Sequence, residues 1–348
     1  MFPFKKKKKE DEEEEEEEGK IKNPTSKKQK KKEPPKPWGK KERKLVFIVL
    51  FATILISGML AASARSWKLP GFPRIKFPTT SLLETKTIVL TKDVGEIDPK
   101  LVDSSEAIKD KFNELTNDLS GVYGIYVIDL ESGYSYTLSN DEVYEAASLI
   151  KLPAMVAMFR QAEERNIDLD DEYVLKQEDK IGGSGSLYSK PAGTVLTYRE
   201  LVELMGKESD NTAFGISRSI LGDELIQDTA REIGMVNTSL ETNETTLSDV
   251  GLFFEKLWSG NLVSAGHRKD LIDYLIDTAY EEWLTAGVGD GVKVSHKYGR
   301  EVHVVNDAGI VFTDNPYVVV ILTKGVVERE ADNIFPDLSR VVYEGQSE

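Results

Sequence analysis

The order of elements along the chain predicts an α+β fold: an antiparallel five-stranded sheet flanked by helices, with a helical subdomain in the middle of the sequence. Three observations carry this reading. Two β-rich runs, residues 122–130 and 134–138, are separated only by Glu131-Ser132-Gly133, the spacing of a hairpin. Residues 147–285 are mostly helical in period. Three more β-rich runs, 292–298, 302–312 and 317–322, then follow with turns between them. An amphipathic helix over 104–119 opens this body and a helix over 326–343 closes it. Strands and helices grouped in this way fit an antiparallel sheet with helical layers rather than a doubly wound one.

The preceding hundred residues have a different character. Residues 1–44 hold a basic run at 5–9, an acidic run at 10–18 and a second basic stretch at 27–32, then Pro34, Pro35 and Pro37. Charge blocks of this kind lack the apolar surface to fold, which predicts a disordered charged tail. Residues 45–64 are free of charge, close to the length at which a helix crosses a bilayer, and are expected to be a transmembrane signal-anchor. Lys40, Lys41, Arg43 and Lys44 before the run place the tail in the cytoplasm and the remainder outside, a single-pass protein of the cell membrane. Ala62-Ser63-Ala64 resembles a signal-peptide cleavage site, but the long leading segment and the length of the run favour an uncleaved anchor. Residues 65–100, with Pro70, Pro73, Pro78 and Pro99, read as an extracytoplasmic spacer, within which 87–90 suits a short strand. The folded domain is assigned to 101–348.

Composition excludes several functions. The tail carries 17 Lys or Arg against 11 Asp or Glu, a net of +6, so the remainder holds −21 of an overall −15. An acidic body is unsuited to nucleic acid, whose phosphates need clustered Lys and Arg. With no Cys, neither a disulfide framework nor a thiolate zinc site is possible. His267, His296 and His303 lack metal-ligand spacing, and His296 should point away from the face that Lys297 occupies.

The chemistry lies in three short motifs. Ala146-Ala147-Ser148-Leu149-Ile150-Lys151 sets a serine at the start of a helical run with a lysine three residues on, on the same face. A serine hydroxyl needs a base beside it to become a nucleophile, and a desolvated lysine amine can be that base. Ser209-Asp210-Asn211 offers a hydroxyl for proton relay and a carboxamide for a peptide-like carbonyl. Lys297-Tyr298-Gly299 ends a β run, where the lysine offers positive charge and the glycine lets a ligand approach the backbone.

In their order and spacing these triplets resemble those of the class A β-lactamases and penicillin-binding proteins. The likeness continues through Gly182-Gly183-Ser184-Gly185-Ser186-Leu187, Lys190-Pro191-Ala192-Gly193-Thr194 and Val305-Asn306-Asp307-Ala308-Gly309, and covers roughly residues 104 to 343. The resemblance implies a serine hydrolase that forms an acyl-enzyme at Ser148, without metal or organic cofactor. It makes Lys151 the base or proton shuttle, Ser209 the relay hydroxyl, Asn211 the amide that positions substrate, and Lys297 the cation for a substrate carboxylate. The backbone N–H groups of Ser148 and Arg300, the latter following Gly299, become the oxyanion hole. Implied substrates are β-lactams or related acyl-D-Ala-like amides. A D,D-peptidase acting on peptidoglycan stem peptides is the alternative, and a degenerate cell-wall-binding domain a third.

The chain departs from the family pattern twice. Tyr298 stands where the family has a short Thr or Ser whose hydroxyl binds the substrate carboxylate. The family's Glu-x-x-Leu-Asn loop, whose glutamate activates the deacylating water, has only Glu244-Thr245-Thr246-Leu247-Ser248 as a counterpart, within a short stretch that also contains Glu241. Glu244 is the expected catalytic carboxylate if the loop functions, while Thr245-Thr246 aligns equally well with the start of the next family helix.

Overall fold

A computed structural model describes residues 39, 41, 44, 46–55, 99–140 and 142–347. Lys41, Lys44 and residues 46–55 are helical and form the described part of α1, with Phe47, Ile48, Val49, Leu50, Phe51, Ile54 and Leu55 exposed. Among the described residues no helix is long and apolar enough to cross a membrane. The rest of the expected span, most of the tail, the spacer and the strand expected at 87–90 lie outside the described residues.

The described part of the folded domain begins with helix α2 (Pro99–Thr116). It starts five residues before the sequence expectation because Pro99, assigned to the spacer, is the first helical residue, where its missing N–H costs nothing. Strands β1 (Val122–Asp129) and β2 (Ser135–Leu138) form the hairpin in register Ile125↔Leu138. Its turn is held by the Asp129 carboxylate, which accepts the N–H of Ser132 at 2.7 Å and that of Glu131 at 3.2 Å. Two short strands, β3 (Tyr144–Glu145) and later β6 (Glu244–Thr245), pair as a ribbon around the residues leading into the 3-10 helix Ala147–Ile150. Helix α3 (Lys151–Glu163) follows at once. Strands β4 (Glu172–Val174) and β5 (Val195–Thr197) form a second ribbon.

The helical subdomain continues with α4 (Tyr198–Lys207), α5 (Asn211–Leu221), α6 (Asp223–Ile233), α7 (Leu247–Ser259) and α8 (Ala265–Tyr274). Its boundaries follow from caps. Thr197 and Glu200 form a capping box at α4, Asp210 accepts the Ala213 N–H at α5, and Thr246 accepts the Asp249 N–H at α7. Each such cap contributes about 1 kcal/mol. After the short α9 (Leu284–Gly287) come β7 (Lys293–Glu301), β8 (Val304–Phe312) and β9 (Tyr317–Lys324), then α10 (Glu328–Ser347).

Five strands form one antiparallel sheet, as expected from the sequence, and their order is β2-β1-β9-β8-β7. Both of its faces are covered, so β1, β8 and β9 are buried almost throughout. Tyr126, Ile128, Ala308, Ile310, Val318, Val320 and Leu322 point into the core shared with α3 and α7. The alternate residues Ile125, Val127, Val305, Val311, Val319 and Ile321 pack against α2 and α10 through Phe112, Phe335 and Leu338. Burial on two faces explains why these strands read as continuous apolar runs instead of alternating ones. Helix α3 is buried at nine successive residues, from Lys151 to Phe159, as the central helix of the subdomain.

Candidate active site

Three elements meet at Ser148. The first is the turn that carries it. Ser148 is the second residue of the 3-10 helix and Lys151 the first of α3. Positions three apart eclipse in a 3-10 turn, so the Lys151 Nζ stands 2.8 Å from Ser148 Oγ. The preceding segment is fixed to the sheet by Asn306, fully buried on β8. Its Nδ2 donates to the Glu145 carbonyl at 2.8 Å while its Oδ1 accepts the Thr323 N–H at 2.9 Å. Ala147 holds φ +49°, a left-handed conformation that costs a non-glycine residue about 1 kcal/mol. Strain of this kind directly before a nucleophile persists because the surroundings determine it.

The second element is the entry to α5. Ser209 also has positive φ, +53°, and presents both its carbonyl, 2.8 Å from Lys151 Nζ, and its hydroxyl, at 3.2 Å. Asn211 Oδ1 accepts from the same amine at 2.7 Å, and its Nδ2 donates to the Gly182 carbonyl at 2.9 Å. Asp210, between them, is fully buried. It caps α5 and also accepts the Leu187 N–H at 2.8 Å, which holds the 182–187 loop against the site. One glycine of that loop is required by proximity. Gly185 has φ +89° and a side chain on it would fall 2.1 Å from Asp210 Oδ2.

These contacts set the protonation of Lys151. Its burial disfavours the ammonium and lowers the pKa to about 8, although the charges of Asp210 and Glu301 pull the other way. Two of its closest partners, the Ser209 carbonyl and Asn211 Oδ1, can only accept hydrogen bonds. A neutral amine therefore directs its two N–H bonds at them and turns its lone pair to a hydroxyl, of which Ser148 is nearer than Ser209. That is the arrangement of a general base and its nucleophile.

The third element is β7, the edge strand of the sheet. The His296 N–H donates to the Leu275 carbonyl at 2.7 Å, away from β8. With the period of two, the N–H of Arg300 points to the same open edge. Gly299 lies so near the nucleophile's turn that a side chain there would fall 2.9 Å from the Ser148 nitrogen. The two backbone donors expected for an oxyanion hole thus sit on adjoining segments beside Ser148.

Lys297 and Tyr298 are placed differently from a simple carboxylate subsite. The Lys297 side chain is fully buried, its Nζ donating to the Tyr298 carbonyl at 2.9 Å and lying 4.1 Å from the centre of the Tyr298 ring. Burial and the nearby Lys151 charge push its pKa well below the usual lysine value, with Asp307 opposing. Burial pushes the Tyr298 phenol up to about 12, with the Ser184 side chain opposing. The Arg300 guanidinium leaves the site and pairs with Asp332 of α10 through bonds of 2.8 and 3.0 Å.

Glu244, the expected catalytic carboxylate, is not brought to Ser148. It lies exposed on β6, directly across from Glu145, and accepts a hydrogen bond from Thr242 Oγ1 at 2.7 Å. With Val302, His303 and Lys324 it lines a separate surface groove. The reason is the strand period: Thr245 takes the inward position of the ribbon, bonding Thr238 Oγ1 at 2.8 Å, so its neighbour must face out. Thr246 then caps α7, which is the helix-start alignment of the Thr-Thr pair. Glu241 is also exposed, on a groove with Arg218 and Gln227.

Sequence reasoning missed a buried cluster behind β7. His296 does face away from Lys297, and there it bonds Asp307 Oδ1 at 2.8 Å and Glu281 Oε1 at 3.2 Å. Burial alone would lower the imidazole pKa, but the two carboxylates outweigh it and hold it up at about 9. Its positioning effect on the strand carrying Lys297 has no local signal beyond the polar residues at 296 and 307.

The chain matches the model of the β-lactamase enzyme family over residues 107–346. It is similar to β-lactamase 3 of Bacillus cereus, 24% identical over 67% of this chain and 79% of that one. With β-lactamase SME-1 of Serratia marcescens it shares 22% identity over 78% of this chain and 98% of that one. Among solved structures, PBP-A superimposes with a TM-score of 0.65 at 27% identity, covering 71% of this chain and 97% of that one. A point mutant of PBP-A, solved as an acyl-enzyme complex with penicillin G, superimposes with the same TM-score at 28% identity over the same shares. By its family match, its fold and the serine-lysine pair at its centre, this chain belongs to the β-lactamase-like serine hydrolases.

Proposed function

We propose that the protein is an acyl-transfer enzyme that opens a β-lactam or an acyl-D-Ala-like amide at Ser148 and releases the acyl group slowly, in the manner of a penicillin-binding D,D-peptidase. The observation that carries this is the Lys151 amine, 2.8 Å from Ser148 Oγ and lowered to about pKa 8. Lys151 takes the Ser148 proton as Oγ bonds to the carbonyl carbon. The tetrahedral oxyanion is met by the N–H groups of Ser148 and Arg300. The C–N bond then breaks, and the proton passes to the leaving nitrogen with Ser209 Oγ as relay, 3.2 Å from the amine. Asn211 orients the substrate's amide side chain. Water later cleaves the ester and restores the serine.

Slow release is supported by the position of Glu244, which faces a different groove and leaves the acyl group without that carboxylate to activate water. Rapid hydrolysis, a β-lactamase in the strict sense, is the second reading, favoured by the names of the curated relatives. Mass spectrometry of the protein after mixing with benzylpenicillin tests both. An adduct persisting for many minutes is expected. Turnover within seconds supports the second reading, and the absence of any adduct overturns both.

A single-pass anchor at residues 45–64 with the catalytic domain outside the cytoplasm belongs to the same proposal. It is supported by the uncharged run and the cations before it. Retention of the protein in the membrane fraction after alkaline carbonate washing is expected, and release by that wash overturns it.

A further inference from the structure

Three cations near Ser148, Lys151, Arg300 and Lys297, are each engaged with partners. Lys151 is turned to Ser148, Ser209 and Asn211. Arg300 is paired in two bonds with Asp332. Lys297 is wholly buried, with its amine against the Tyr298 carbonyl and the face of the Tyr298 ring. A carboxylate reaches Lys297 only after that ring moves.

The Tyr298 ring is held by its neighbours on the sheet side. It packs near Tyr280, Trp283 and His296, at centroid separations of 5.6, 6.5 and 6.3 Å. A short hydroxyl residue at 298 lacks both these ring contacts and the area to cover an amine.

We propose that Tyr298 is the specificity-determining gate of this cleft, closing over Lys297 so that the enzyme prefers acyl donors with no free carboxylate beside the scissile bond, such as neutral amides and esters. The proposal rests on the acyl-transfer reading above and names the substrate class for that site. A donor carrying the carboxylate must displace the ring from Lys297 and from its aromatic neighbours before it can dock, and a neutral donor need not. The acylation step is unchanged: Ser148 Oγ bonds to the carbonyl carbon, the C–N bond of a lactam or the C–O bond of an ester breaks, and the Ser148 proton ends on the leaving nitrogen or oxygen.

The test uses a matched pair, benzylpenicillin and its methyl ester, which differ only in that carboxylate. Rates of adduct formation at Ser148 are measured by intact-mass spectrometry on the full chain in detergent. The wild type is expected to react faster with the methyl ester by about tenfold or more, and Tyr298→Thr to shift the ratio towards benzylpenicillin by at least as much. Tyr298→Phe, which keeps the ring, should keep the wild-type preference, and Tyr298→Leu, which removes the ring but stays apolar, should shift the ratio as Thr does and guards against a misfolded Thr variant. A wild type that favours benzylpenicillin, or a ratio unmoved in both Tyr298→Thr and Tyr298→Leu, overturns the gate while leaving the acyl-transfer reading intact. No adduct with either compound in any variant overturns both.

Discussion

Nδ1 of His296 stands 2.8 Å from Oδ1 of Asp307, with both side chains fully buried behind the strand that carries Lys297 and Gly299. Nε2 of the same ring reaches Glu281 at 3.2 Å, and Asp307 also accepts the Leu284 N–H at 3.2 Å. The cluster ties β7, β8 and the segment before α9 into one unit. Removing one member leaves a charge buried without its partner, which costs about 3 kcal/mol or more. His296→Gln is therefore expected to lower the unfolding free energy by roughly that amount at pH 6. Urea denaturation checks it, and a loss within error would mean the cluster is not a stabilising unit.

The same cluster fixes a pH window. The folded pKa of His296 is raised from 6.5 to about 9, so its contribution is complete below about 6.5 and is lost as pH rises through 9. Burial of Glu281 works to raise its pKa, but the bond to His296, the His296 charge and the bonds to Thr278 together lower it from 4.5 to about 2. Its contribution is present above about 4.5 and is lost as pH falls through 2. The stability difference between wild type and His296→Gln should thus be greatest between pH 4.5 and 6.5 and shrink towards pH 9 and above. Melting curves of both proteins across this range measure it. A difference that grows with rising pH contradicts the assignment.

Most of the sheet was legible because its signals are local and repeated. Eight or nine residues of β-branched and aromatic character, closed by Gly133 or by polar turns, can be read from composition alone. The Ser148 and Lys151 contact was legible because the two are three residues apart and a helical turn brings them together. The two short ribbons were not, since strands of two or three residues carry no period. The outward direction of Glu244 was hidden for the same reason, as it depends on pairing with Glu145, a partner 99 positions away. The place of the Tyr298 ring beside Lys297 depends on its packing near Tyr280 and Trp283, which only the folded chain brings together.

Acylation should follow the deprotonation of Lys151. With a pKa lowered to about 8 by burial, the neutral base accumulates as pH rises through that value, so the acylation rate should climb about tenfold per unit well below pH 8 and level above it. Lys151→Ala should reduce the rate by about a thousandfold or more and remove that limb. Stopped-flow or quenched acylation with a chromogenic cephalosporin reads both. A flat profile in the wild type would exclude the lysine as base.

Glu244 offers a contrast. Its carboxylate lies on the groove with Lys324 and His303 and is bonded to Thr242, so Glu244→Gln should change neither acylation nor release of the acyl group by more than about threefold. A hundredfold slower release in this variant would show that the ribbon rearranges in the acyl-enzyme and brings Glu244 to the ester. The chase half of a pulse-chase experiment with labelled penicillin measures this directly.

Gly299 is the position where geometry alone sets the rate. A methyl group there would fall 2.9 Å from the Ser148 nitrogen, 2.9 Å from Leu149 Cδ1 and 3.1 Å from Ala147 Cβ. The Leu149 side chain can turn aside, but the Ser148 backbone and the strained Ala147 can move only by separating the nucleophile's turn from β7. Since Ser148 N–H and Arg300 N–H must converge on one oxyanion, a displacement of this kind weakens the hole while leaving the Ser148 to Lys151 contact within one short turn intact. Gly299→Ala is expected to lower the acylation rate about a hundredfold and to leave the pH limb near 8 in place. Loss of the limb together with the rate would place the damage at Lys151 instead, and an undiminished rate would mean that the two backbone donors do not act together on the substrate.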